Sequence, residues 1–320
     1  MKDLKETLKG IPELDSEAEK RAKLPNRLAS SPIDPALLEG LALHYSFDRK
    51  EVGTIRDSSG KAHHAKVTGG EWTEDPQTGG CYQISKPDDQ IEALDYKGVV
   101  GANPRTVALW FRDEDTVLGP NARLIHWGTH KTGQLMCLRF EKDNELGLVV
   151  DALHGAKASV GMLRELLDGK WHHLVVTLPS GGKLDDFELY IDGKHVAKTH
   201  RYSGKRERRL FANNPLNTAS GMLVSIGSDR LGGLIDEVMI WERALDSWEI
   251  ARLYRATGGQ KLDPATESAI LAHGETAGIP ELKRASLPPL FADSFDAPDT
   301  DNLDLSEQAG RRRGLNTAIR

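Results

Sequence analysis

Residues 168–196 read DGKWHHLVVTLPSGGKLDDFELYIDGKHV, and this stretch decides the fold. HHLVVTL (172–178) and FELYI (187–191) are short runs rich in β-branched and aromatic residues, which suit a pleated, half-buried surface. PSGG between them and IDGK after them are turn chemistry, since glycine supplies positive φ and Asp-Gly closes a hairpin. The reading is strand, turn, strand.

Working outward, the same signature recurs. LALHYSF (41–47), QIEAL (90–94), TVALWF (106–111), RLIHWG (123–128), LMCLRF (135–140), LGLVV (146–150), MLVSIG (222–227) and LIDEVMIW (234–241) all read as strands. Gly-rich turns such as DSSG (57–60) and SDRLGG (228–233) separate them. Regular short strands of this kind predict an all-β fold, a two-sheet antiparallel jelly-roll sandwich. One helix follows at ERALDSWEIARLYRATGG (242–259), with Asp246 as N-cap, Glu249 as its capping-box partner and Gly258 past its end.

The flanks differ. Leu4, Leu8, Ile11 and Leu14 have weak helical spacing, broken at Pro12, and LPNRLASSPIDP reads as linker. GIPEL occurs at 10–14 and again at 278–282, KRAKLP (20–25) is echoed by KRASLP (283–288), and YSFD (45–48) by DSFD (293–296). A linker followed by a strand start has thus occurred twice. The expected organisation is a helical or flexible segment over 1–38, the sandwich over 39–258, a linker over 259–290, and the cut-off start of a further β domain over 291–320. The chain reads as part of a larger multidomain protein.

Composition narrows the function. With 320 residues, 38% hydrophobic and 28% charged, the chain can bury a sizeable core, and a net charge of −6 argues against a nucleic-acid binder. No apolar run approaches membrane-spanning length. MKDLKETLKG has no apolar h-region, so no signal peptide is expected in this chain. Cys81 and Cys137, the only cysteines, exclude a disulfide scaffold or Cys-rich zinc module; two buried thiols or one bridge remain open. His172–His173 and His63–His64 are adjacent, and neighbours on a strand point to opposite faces, so neither pair chelates one zinc.

Three stretches resemble the laminin-G-like jelly roll of the concanavalin-A-like lectin/glucanase superfamily. They are DGKWHHLVVTL with FELYIDGKHV (168–178, 187–196), VSIGSDRLGGLIDEVMIWERALDSWEIARLY (224–254), and LHYSFDRKEVGTIRDSSGKAHHAKV (43–67), with TVALWFR (106–112) as central strand. They run in the family's order over 41–255. DDQIEAL (88–94) departs from it, with Gln90 where tyrosine is usual.

The resemblance implies a recognition or adhesion module, extracellular or in the cell envelope, taking carbohydrate or a cell-surface protein as partner. Sugar binding calls for an exposed aromatic beside polar loops. Trp127, Tyr202 and Trp72 are the candidates, although Trp127 ends the strand RLIHWG, a position that favours inter-sheet packing over ligand contact. The resemblance also implies a structural calcium. Asp48 and Asp57 follow the first strand and Asp236 begins the last, so these carboxylates can meet at one end of the sandwich. Asp89 is a further candidate, and an Asx-turn is the other role open to Asp57.

The glucanase branch needs two carboxyl groups about 5–5.5 Å apart on one strand face. Glu13-Leu14-Asp15-Ser16-Glu17 has that spacing, and it falls outside the sandwich. No catalytic residue is expected. The basic runs Lys205–Arg209 and Arg311–Arg313 suit anionic polymers such as sulfated glycans, or solvated loops. The alternative to a recognition module is a structural spacer with no ligand of its own.

Overall fold

The computed structural model describes residues 35–259, apart from 115–118, 120, 142–146, 152–156, 163, 184–185, 198–215 and 230. The expectations for the N-terminal extension before Pro35, the C-terminal linker and β start, Tyr202 and both basic runs lie outside the described residues.

Two eight-stranded antiparallel sheets form a sandwich. Sheet 1 runs in the order β14 (Lys194–Val196), β13 (Glu188–Ile191), β12 (His172–Leu178), β7 (Arg105–Asp113), β16 (Gly233–Trp241), β5 (Gly79–Ile84), β4 (Glu71–Asp75). The first strand, β1 (Leu41–Tyr45), pairs with the second half of β16. Sheet 2 runs β11 (Lys157–Met162), β10 (Gly147–Asp151), β9 (Leu135–Glu141), β8 (Arg123–Gly128), β15 (Met222–Ile226), β6 (Gln90–Ala93), β3 (Ala65–Thr68), β2 (Thr54–Ile55). The strands read from the sequence are all present. β2, β3, β4, β11 and β14 are additional to these and to the strand-like GGCYQI of β5; they are short or polar and carry little periodicity.

Alternation explains the core. Inward residues of sheet 1, such as Leu109, Phe111, Leu174 and Ile235, meet Ile91, Ile125, Leu138 and Ile226 of sheet 2 in one cluster. Each such side chain contributes about 1.5–3 kcal/mol by leaving water. The outward face of sheet 1 is apolar too, because helices cover it. Helix α1 (Pro35–Leu38) sets Leu37 against Trp241 and Met239, and the Trp241 indole donates to the Leu37 carbonyl at 2.6 Å. Those contacts attach residues ahead of the expected boundary at 39 to the sandwich. Helix α2 (Ser247–Ala256) adds Ile250 and Leu253 to the same cluster and packs Tyr254 beside Trp110 and Trp171. Its capping box is formed as the sequence spells it, with Asp246 accepting from the Glu249 amide and Glu249 from the Asp246 amide.

Cys81 and Cys137 are both buried, and neither is in a disulfide. Arg105 is fully buried and faces no carboxylate in its hydrogen bonds. It donates instead to the carbonyls of Val99, Gly101 and Asn103 and to the Thr218 hydroxyl, tying the loop before β7 to the segment before β15. Desolvation lowers its pKa to about 10.

Candidate functional site

The site lies where β1 leaves β16. One side of β16 pairs with β7. On the other side, β5 takes residues 233–235 and β1 takes residues from Val238 onward, so Asp236 and Glu237 fall in the gap between two partners. Glu237 has φ 48°, and the pairing with β7 jumps from Asp236–Trp110 to Met239–Ala108. This is a β-bulge, the device that bends a strand and re-aims its side chains.

Beyond Tyr45 the chain turns sharply through Phe47, whose φ of 49° is an uncommon conformation for a bulky residue. Its surroundings hold it there. The Phe47 ring is buried 5.4 Å from the Tyr82 ring, and its carbonyl accepts from the Trp72 indole at 2.8 Å. A Cβ at Gly80 would collide with that carbonyl, which explains the glycine.

Asp57 then folds the loop back onto β1. Its carboxylate accepts from the amides of His44, Ser59 and His63 and from the Ser59 hydroxyl, all at 2.7–2.9 Å. Burial opposes its charge, but the hydrogen bonds from Ser59, His44 and His63 win and hold its pKa below the usual carboxylate range.

The loop leaves a cleft of about 310 Å³. Phe47, Ile55 and Tyr82 contribute apolar surface, while Asp48, Arg49, Glu51 and Arg56 add charges of both signs. Arg56 is held at 3.6 Å from Glu51, and the Lys50 ammonium sits 5.9 Å over the half-buried Trp72 ring. On β16, opposite Trp110, Asp236 is 3% exposed. Burial, then the charges of Glu237 and Asp48, push its pKa well above the ordinary value. The Glu237 carboxylate is 2.7 Å from the His44 imidazole. An apolar floor with charged groups at its rim is the chemistry of a polar-ligand pocket.

The predicted residues divide cleanly. Asp48 lines the cleft, Asp57 anchors its wall and Trp72 pins the turn, while Asp236 is buried on β16 and is not among the residues that line it. Trp127 needs a correction as a ligand residue: it is fully buried in the core, with its indole on the Val99 carbonyl at 3.0 Å, and presents no ring to solvent. Asp89 accepts from the amides of Ser85 and Lys86 in the turn before β6. Tyr82, Glu51 and Arg56 were not singled out from sequence. Tyr82 had a signal, since alternation in GGCYQI gives it the face opposite Cys81.

Calcium can be tested against these groups. Asp57 does not fit as a ligand, because four donors already occupy its oxygens. Asp48, Asp236 and Glu237 influence one another electrostatically, yet among the described residues no three His, Cys, Asp or Glu side chains are grouped to hold a metal ion. Asp236 and Glu237 are sequence neighbours, and the Glu13–Glu17 string lies outside the described residues.

Among solved structures, the binding domain of Paraclostridial Mosquitocidal Protein 1 is similar at TM-score 0.50 and 15% identity, covering 68% of this chain. This chain spans about half of that one, 52%. Domain 4 of AbnA, an extracellular arabinanase from Geobacillus stearothermophilus solved with arabinotriose, aligns at TM-score 0.49 and 20% identity, covering 67% of this chain and 98% of that one. The ligand binding domain of botulinum neurotoxin serotype D, solved with N-acetylneuraminic acid, aligns at 0.47 and 16% identity, covering 69% and 52%. No curated protein sequence matches the chain. Residues 86–251, just over half of the chain, match the profile of the laminin G 3 domain, and the chain therefore belongs to that family of the concanavalin A-like lectin/glucanases superfamily.

Proposed function

We propose that this domain is a non-catalytic recognition module of a larger extracellular or cell-envelope protein, and that it binds a carbohydrate or a protein surface in the cleft beside β1. The observation that carries the reading is the cleft itself, with Phe47 and Tyr82 on its apolar side and Arg49, Glu51 and Arg56 around it. Held open by a strained aromatic residue and a saturated aspartate, it is pre-organised, which lowers the entropy cost of binding. Binding domains of larger proteins with the same architecture are consistent with this role. Among the described residues no helix is long and apolar enough to cross a membrane.

The test is an array of glycans and extracellular proteins screened with the multivalently displayed full chain. A specific ligand is expected, and Arg56→Glu, at an exposed position, is expected to weaken its binding at least ten-fold, about 1.4 kcal/mol. Silence from a folded domain would favour the spacer role, and full binding by Arg56→Glu would move the site elsewhere.

Calcium belongs to the same proposal, on Asp48 and Asp236. A cation there would replace the proton that the Asp236 environment favours, so calcium is expected to raise the melting temperature by several degrees at pH 8 and less at pH 5. Asp236→Asn is expected to abolish the shift. An unchanged melting temperature in millimolar calcium at pH 8 would remove the metal from the proposal.

A further inference from the structure

The chain enters and leaves the domain at one place. Leu41, which opens β1, pairs with Trp241, which closes β16, and α2 follows at Ser247. Tension applied between Pro35 and Gly259 would therefore act on β1 and β16 as on a zipper. In an antiparallel pair the hydrogen bonds lie across the strands, so a pull from adjacent ends breaks them one after another, here from Leu41 onward. Peeling of β1 would go on to draw His44 away from Asp57 and the Phe47 carbonyl away from Trp72.

A separate set of contacts stands ahead of that first pair. In the entry segment, the Ala36 and Glu39 carbonyls accept from Arg243, at 3.0 Å from Nη2 and 2.6 Å from Nε. The Leu37 carbonyl takes the Trp241 indole, and the Gly40 carbonyl accepts from the Glu242 amide at 2.8 Å. Leu37 itself is buried in one cluster with Trp241. Gly40 makes the close approach possible. Its φ is 73°, and a Cβ there would come within 3.2 Å of the Arg243 side chain.

Arg243 also reaches the exit. Its Nη1 meets both oxygens of Glu249, in the first turn of α2, at 2.8 and 2.9 Å. With side chains only 20% and 13% exposed, this pair is sheltered from the water that makes most surface ion pairs worth little. Further along, α2 is fastened by buried Ile250 and Leu253 and by the Trp110 indole, which donates to the Thr257 hydroxyl at 2.9 Å. The backbone beside Arg243 is held as well. The Thr106 hydroxyl, on central strand β7, donates to the Arg243 carbonyl at 2.9 Å and accepts from the Leu245 amide at 2.8 Å. One guanidinium thus joins the entering backbone to the leaving helix, using donors on all three of its nitrogens. A lysine ammonium has no such fork.

We propose that Arg243 is the pin of a clasp that carries tension from the entry segment directly into α2, so that β1 and the turn beyond it stay in place when the chain is pulled. In a protein of several domains, tension reaches each domain through its two ends, and these are the ends that the clasp joins. The device does not depend on what binds in the cleft.

The experiment holds the full chain at constant tension in magnetic tweezers and records how long the domain stays folded. In one preparation click-reactive handles replace Asp34 and Gln260, so that the pull spans the clasp. In the other they replace the exposed Val52 and Lys131, so that the pull crosses the sandwich without spanning it. Arg243→Gln is expected to shorten the lifetime at least ten-fold in the first geometry and less than two-fold in the second. Glu249→Gln keeps an acceptor for the Asp246 amide but loses the charge that faces Arg243. It is expected to shorten the lifetime at least three-fold in the first geometry alone, and it carries the test if Arg243→Gln does not fold. Equal shortening in both geometries would make Arg243 a general stabiliser of the fold and overturn the proposal. An unchanged lifetime in the first geometry would overturn it too.

Discussion

Between pH 7 and pH 4 the domain is expected to lose most of its stability, because two histidines are folded into places that admit only the neutral ring. His173 is 1% exposed under α2, between Trp110 at 5.1 Å and Tyr254 at 5.7 Å, and its Nδ1 has no partner. Desolvation lowers its pKa to about 3, against a weaker upward pull from Asp192. His126 is lowered to about 3 as well. The unfolded chain takes up a proton on each ring below its ordinary pKa of 6.5, while the folded chain refuses it down to about 3. Stability is therefore complete above 6.5 and declines as pH falls through that window. At about 1.36 kcal/mol per unit, each ring costs on the order of 3 kcal/mol at pH 4.

Two groups oppose the loss. Although burial works against it, His172 is raised by Asp192 and Asp168, and gains a proton on folding. Asp236 is raised by burial, so its contribution grows as pH falls. His172 is partly exposed and Asp236 is a single group, so the buried pair dominates. Urea denaturation from pH 7 to pH 4 should show the decline. His173→Phe keeps a ring in the stack but cannot titrate, and should remove about half of the slope whatever its effect at pH 7. Equal stability at pH 7 and pH 4.5 would mean that one or both rings reach solvent.

How far the sequence carried can be judged at particular residues. Period-two runs located the strands, since alternation is imposed by the pleat itself. Asp246 and Glu249 located α2, since a capping box is local chemistry. The pairing of first and last strands expected from the sequence is present between β1 and β16, and Asp48 acts electrostatically on Asp236. Two bulges were illegible. In β8 the register shifts between Arg123 and Ile125, so Leu124 and Ile125 both enter the core. Simple alternation from Leu124 would have put Trp127 outside and His126 inside; the bulge reverses both. In β16 the bulge at Glu237 leaves Asp236 beside the helix-covered face and returns Val238 to the core. An inserted residue changes parity without changing composition, so no pattern in the chain announces it.

Trp127 makes this difference measurable. Trp127→Ala is expected to cost about 3–5 kcal/mol, the range for deleting a large aromatic from a packed core. The ring is enclosed closely enough that a Cβ at Gly98 would collide with it. Its lost hydrogen bond adds little, because the Val99 carbonyl still accepts from Arg105 at 2.9 Å. The penalty is the cavity. Against the roughly 5–15 kcal/mol that holds most domains folded, this is a large fraction, and a fall in melting temperature of about ten degrees or more is expected. A ligand-contacting tryptophan on the surface would give the opposite result, with binding lost and stability changed by less than about 1 kcal/mol. For a core residue, the fraction of Trp127→Ala that remains folded should bind with unchanged affinity. Measuring denaturation and binding on the same preparation separates the two, because a core ring acts on how much protein is folded and a platform ring acts on how tightly the folded protein binds.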